Sequence, residues 1–151
     1  MQDKWIKRFM DLARTFASWS EDYSTQVGAV VVSDDKDIQS SGWNGLPRGV
    51  EPTDERFERP NKYYYFEHAE RNAIYNAVRN GVSLNGSHMF VTHYPCPDCA
   101  RAIIQAGIKH VYFISKLGGD KWDEGNAASE AMLKEAGVSV VWLDSLKFGA
   151  S

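Results

Sequence analysis

Cysteine is nearly absent: the 151 residues hold two, Cys96 and Cys99, three positions apart. One Cys-x-x-Cys cannot staple a disulfide framework, and it suits a reducing compartment and a bound metal. Long apolar runs are missing as well. Nothing approaches the roughly 20 residues that span a bilayer, and Met1-Gln2-Asp3-Lys4 leads into an amphipathic segment, not a signal stretch. The expected location is therefore cytoplasmic, or the host cytoplasm for a viral chain. Basic residues are in deficit, 17 Lys and Arg against 20 Asp and Glu, giving a net charge of −3. That balance argues against a polynucleotide partner, since phosphate-backbone binders carry a basic face. Repeats and linkers are also lacking. With 43% hydrophobic and 13% aromatic residues, the chain reads as one globular domain over 1–151, large enough for a real core.

What is present centres on His68-Ala69-Glu70 and, 25 residues beyond Glu70, Pro95-Cys96-Pro97-Asp98-Cys99. Two thiolates and one imidazole suit tetrahedral zinc, and three protein ligands leave a fourth position for water, which marks a catalytic site. Two thiolates and a neutral His already balance Zn²⁺. Glu70 is then not needed as a ligand and is free to carry protons. The joint pattern His-x-Glu…Pro-Cys-x-x-Cys is similar to that of zinc-dependent nucleobase deaminases. Two other readings stay open from these residues. Cys-Pro-Asp-Cys could be a thioredoxin-like redox pair, or a structural zinc knuckle with His88, His93 or His110 as fourth ligand.

The pattern predicts five strands and four helices. Residues 3–19 place Trp5, Phe9, Met10, Phe16 and other apolar residues at helical spacing. Strands follow at 27–33 and 38–43 as a hairpin around Asp34-Asp35-Lys36-Asp37. A glycine-rich loop, Asn44-Gly45-Leu46-Pro47-Arg48-Gly49, reads alone as a tight turn. Residues 51–67 are charged, then aromatic at Tyr63-Tyr64-Tyr65-Phe66. The charged part reads as a solvated excursion, the aromatics as a pocket lining, an interface or core. A helix over 68–79 stops at Gly81. Strand 88–93, a helix over 98–106 with Pro97 at its start, strand 110–114, a helix over 126–136 and strand 138–143 complete the chain. The cysteines would sit at a helix N-terminus, whose dipole lowers thiol pKa. Alternating strand and helix in the second half implies parallel neighbours, and the hairpin makes the sheet mixed. The fold class is α/β, a mixed five-stranded sheet covered by helices on both faces.

The chain resembles the deoxycytidylate (dCMP) deaminases of the cytidine-deaminase-like fold. The likeness is carried by Ser24-Thr25-Gln26-Val27-Gly28-Ala29-Val30, Gly42-Trp43-Asn44-Gly45-Leu46-Pro47-Arg48-Gly49, His68-Ala69-Glu70-Arg71-Asn72-Ala73-Ile74, and Pro95 through Ala100 to Ala106-Gly107-Ile108. It covers about residues 5–143. Free cytidine deaminases usually have Cys in place of His68, and tRNA adenosine deaminases usually have Met before the second Cys. The resemblance implies zinc on His68, Cys96 and Cys99, Glu70 as proton carrier, and hydrolysis of dCMP to dUMP and ammonia, feeding thymidylate synthesis. It implies that the Ala69 backbone reads the base edge and Asn44 contacts the deoxyribose. Ser24, Thr25 or Arg48 would hold the 5′-phosphate, and Trp122 would cover the sugar or base. Two departures, Glu21 where Lys is frequent and Leu117 where Tyr is frequent, bear on phosphate and base contacts. Some family members bind a second, structural zinc through extra Cys and His; with both cysteines already used, this chain is expected to lack it.

The resemblance also implies a homohexamer, activated by dCTP and inhibited by dTTP, with Mg²⁺ accompanying the regulatory nucleotide. Gly45, Arg48 and Arg79 are the candidates for that second site. Arg79 falls eleven residues after His68, three turns along nearly the same helix face. The competing readings are a deaminase of another free nucleotide, of guanine or of tRNA adenosine, and a non-catalytic zinc or Cys-x-x-Cys module.

Overall fold

The computed structural model describes residues 1–116 and 123–149. A five-stranded sheet forms its middle, with strands β1 (Gly28–Val32), β2 (Ile38–Trp43), β3 (His88–His93), β4 (His110–Ser115) and β5 (Ser139–Trp142) in the order β2-β1-β3-β4-β5. β1 runs antiparallel to both β2 and β3, while β3, β4 and β5 are parallel. The mixed sheet expected from the hairpin and the alternating second half is thus the sheet observed.

Each face of the sheet is covered, and the period-two alternation of the strands decides which residue goes where. Val30, Val32 and Phe90 point to one side, under Ile6, Phe9, Met10 and Ala13 of α1 (Asp3–Ser18). Ala29, Val31, Met89, Val91 and Val111 point to the other. There they meet α4 (Ala69–Asn80), α5 (Pro97–Gln105) and α6 (Glu124–Glu135) through Ala73, Ala77, Ile103 and Leu133. β1 and the middle of β3 are buried on both faces, which explains their unbroken apolar runs.

Three short helices escape the sequence pattern: α2 (Asp54–Phe57), α3 (Lys62–Tyr65) and α7 (Ser145–Phe148), each one turn. Four residues are too few to show a 3.6-residue period. α4 ends at Gly81, whose φ of 67° is the left-handed cap that glycine adopts without cost. Gly42 has a different task. A Cβ there would stand 2.5 Å from Ala73 N and 2.6 Å from Ala69 O, so its absence lets β2 lie directly against the first turns of α4. Among the described residues no helix is long and apolar enough to cross a membrane.

Candidate metal centre and the two cavities beside it

α4 and α5 both begin beside the β1 and β3 ends, and each presents its first residues to the same point. His68 is the extended residue just before α4, and Cys96 holds the same place before α5. Cys99 follows in the first turn of α5 and is fully buried, as is Ala100 after it. Nδ1 of His68 lies 3.4 Å from Sγ of Cys96 and 3.4 Å from Sγ of Cys99. Tetrahedral zinc, with bonds of about 2.3 Å to sulfur and 2.0–2.1 Å to nitrogen, places S and N about 3.6 Å apart. The three donors fit zinc in kind and in separation, and all their ligand atoms lie within 4.8 Å of one another. His93 is not part of that group, and His88 stacks on His110 at the start of β3 and β4, with 4.2 Å between ring centroids. None of the three supplies a fourth protein ligand.

The hydrogen bond from Cys99 draws the Cys96 thiol down to about 4 against the opposing effect of burial, while that same bond and burial push the Cys99 thiol up. The Cys96 contact also raises His68, burial opposing it. Glu70, in the first turn of α4, is 4% exposed, and burial pushes its carboxyl up. A carboxyl whose charged form is disfavoured by desolvation is suited to exchanging protons near neutrality.

The centre forms one wall of a cavity of about 340 Å³. His68, Ala69, Glu70 and Cys96 line it, together with His93, Tyr94, Phe66 and Val27 and with Asp22, Thr25, Asn44, Arg59, Lys62, Tyr63 and Glu67. Residues 3–115 match the family described as the cytidine and deoxycytidylate deaminase zinc-binding region.

The chain belongs to that family.

An uncharacterized deaminase from the luxG 3′ region of Aliivibrio fischeri is 45% identical over 145 residues, covering 95% of this chain and 96% of the relative. Human deoxycytidylate deaminase is 40% identical over 136 residues, 86% of this chain and 73% of that one. The crystal structure of the cyanophage S-TIM5 dCMP deaminase in complex with dCMP and dUMP superposes with a TM-score of 0.78 at 31% identity, covering 95% and 99% of the two chains. The enzyme class expected from the motifs, a zinc-dependent deaminase on an α/β cytidine-deaminase-like fold, is the family's class.

The other expected site residues divide between two places. Ala69 lines the cavity as the first residue of α4, where a backbone N–H has no acceptor within the helix. Asn44 lines it too, but its amide is largely occupied. Oδ1 accepts Val27 N–H at 2.8 Å and Nδ2 donates to Thr25 O at 2.9 Å, so Asn44 first of all shapes the 22–27 loop. Thr25 lines the cavity, and Ser24 stands behind it, its Oγ bonded to Lys62 Nζ at 2.8 Å and Arg59 Nη2 at 3.3 Å. Trp122 and Leu117 lie outside the described residues.

Arg48 is elsewhere. It donates to Asn76 Oδ1 at 2.6 Å and lines a second cavity of about 410 Å³ on the outer side of α4, away from the cavity that Ser24 and Thr25 border. Arg48 and Thr25, both expected at the 5′-phosphate, thus line different cavities. Gly45 and Arg79 line this second cavity with it, together with Trp43, Glu67, Asn72 and Tyr75. Gly45 N–H is already donated to Glu67 O at 3.1 Å, so that group of the Gly45–Gly49 loop is not open to a ligand.

Sequence reasoning missed Asp22, Arg59 and Lys62. Lys62 is 5% exposed, and its Nζ lies 3.1 Å from Asp22 Oδ2. A buried lysine must have a partner, and the charged stretch that hides it reads as solvated. The aromatic run is not core: Tyr63 and Tyr64 are 64% and 84% exposed, and Tyr63 and Phe66 line the cavity, Phe66 edge-on to Phe57.

Proposed function

We propose that this chain is a dCMP deaminase, converting dCMP to dUMP and ammonia, with zinc held by His68, Cys96 and Cys99. One observation carries the reading: one cavity is lined both by the metal centre and its buried carboxyl and by two cations, Arg59 and Lys62. A nucleoside needs only the metal centre and the carboxyl, and a nucleotide also uses the cations. Zinc, when bound, supplies Lewis-acid activation of water near neutral pH.

Glu70 takes one proton from the attacking water and delivers it to N3 of the pyrimidine, then takes the second proton from the C4 hydroxyl of the adduct and delivers it to the departing amine, which leaves as ammonia. Burial favours the protonated form of Glu70, which helps it hand on each proton it takes. Ala69 N–H fixes the base by its edge, and Asn44 sets the sugar with the remaining lone pair of Oδ1. Ser24 and Thr25, backed by Arg59 and Lys62, take the 5′-phosphate. Asp22 neutralises Lys62, so Arg59 supplies the net positive charge. The reading includes thymidylate supply as the use of the product and the cytoplasm as the location.

The second cavity supports regulation. Arg48 and Arg79 meet there against Trp43 and Tyr75, a set suited to the phosphates and base of a nucleotide. In this reading dCTP activates and dTTP inhibits from that place, with Mg²⁺ on the triphosphate, in a homohexamer. The test is zinc content together with ammonia release over a panel of dCMP, deoxycytidine, CMP and guanine. The expected result is about one zinc per chain and preference for dCMP. Equal efficiency on dCMP and deoxycytidine would overturn the phosphate assignment.

A further inference from the structure

Arg71 follows Glu70 directly, and its side chain turns toward the cysteine segment. Its Nε donates to Glu67 Oε1 at 2.5 Å, and its Nη1 lies 3.6 Å from Asp98 Oδ2. Glu67 Oε1 also accepts the His68 N–H at 3.1 Å. Asp98 sits between the two cysteines in the chain. One guanidinium therefore joins the segment that presents His68 to the segment that presents both thiols.

An exposed Arg–Glu pair four residues apart on a helix contributes only about 0.3–0.5 kcal/mol. This one is set differently. The Arg71 side chain is 19% exposed, against 62% for Asp98, so its charge is held against the protein. Burial opposes that charge, and the neighbouring Cys99, Glu67 and Cys96 groups more than offset it.

We propose that Arg71 is a positioning residue of the metal centre, holding the two ligand-bearing segments at their working separation through Glu67 and Asp98 and slowing metal release. The proposal rests on the assignment of His68, Cys96 and Cys99 as zinc ligands. Groups of this kind just outside a metal's ligands typically change metal affinity by roughly ten- to a hundred-fold when removed.

The experiment follows zinc release from the loaded enzyme to a chromophoric chelator, beside thermal melting of the loaded and metal-free forms. Arg71→Ala should weaken zinc binding within that roughly ten- to hundred-fold range, with release correspondingly faster and metal-free melting unchanged. Arg71→Lys should recover part of the loss, because it keeps the charge but not the fork. Asp98→Asn should move in the same direction by less. Arg101→Ala, whose exposed side chain bonds the same Asp98 from outside, should release zinc as wild type does. Wild-type release from Arg71→Ala overturns the proposal. So does a melting loss as large without metal as with it, which would make the bridge merely structural. Should Arg71→Ala not fold, equal release from Arg71→Lys, Asp98→Asn and wild type overturns it. A wild-type protein that carries no zinc fails the ligand assignment itself.

Discussion

The two cavities lie on opposite sides of the first turns of α4, and they are built in opposite ways. The one at the metal centre is made of groups already committed to one another: Asn44 to Val27 and Thr25, Lys62 to Asp22 and Ser24, His68 to both cysteines. The outer one is made of exposed arginines and half-exposed aromatics, with Arg48 bonded to Asn76 and Asn72 bonded to the Trp43 carbonyl along its wall. Committed groups cost no reorganisation when a substrate arrives, which favours chemistry. Uncommitted ones adapt to what binds, which favours sensing.

Removing a ligand should have the largest effect. Cys99→Ser is expected to abolish zinc retention and reduce turnover to background, and metal analysis of the purified variant checks both. Breaking the buried ion pair comes next. Lys62→Met leaves Asp22 buried without its cation and should cost about 3 kcal/mol of stability, read by denaturant unfolding. Although burial pushes the Asp22 carboxyl up, the Ser24 N–H, Lys62 and the Ser24 hydroxyl together hold it below its ordinary value. Asp22 then stabilises the fold above the usual carboxylate range, and that contribution is lost as the pH falls through and below it. A wild-type unfolding series down the acid limb should show that loss, and Lys62→Met should show less of it.

Glu70→Gln keeps the size and the zinc but cannot carry a proton, so kcat should fall by at least ~10²-fold. Near-normal turnover would transfer the proton shuttle to another group. Arg59→Ala tests the cationic part of the cavity lining. A hydrogen bond to a charged group contributes about 1.5–3 kcal/mol, so KM for dCMP should rise about tenfold or more while deoxycytidine is unaffected. An equal change for both substrates would place the phosphate elsewhere. The smallest effect is expected from Arg79→Ala. Allosteric coupling is typically 5- to 150-fold in affinity, and this variant should flatten the response of dCMP titrations to dCTP and dTTP. A full response would remove Arg79 from the regulatory reading and leave the contrast between the cavities resting on Arg48.

The metal centre was legible because its ligands come as short fixed spacings at two helix starts, and local geometry does the rest. The sheet was legible because Val27–Val32, Met89–Val91 and Val111–Phe113 are apolar on consecutive positions bounded by turns. The cationic part of the cavity lining was hidden. Lys62 and Arg59 sit some 35–40 residues from Asp22 and Ser24 in the chain, and their charges resemble any solvated excursion until the fold closes over them. Arg48 was hard to place for the opposite reason. Its loop follows Asn44 directly, but at Gly45 the backbone pairs with Glu67, and Arg48 lines a different cavity from Asn44.

Gly42 adds a consequence for motion. With Ala69 and Ala73 of α4 in direct contact with the β2 backbone at that position, the helix start and the strand behave as one cooperative unit. Their amides should exchange with solvent at a common slow rate, while the loop beyond Asn44 exchanges faster. His68 and Glu70 are then anchored to that unit, so local breathing of the loop around the cavity should leave half of the metal centre in register.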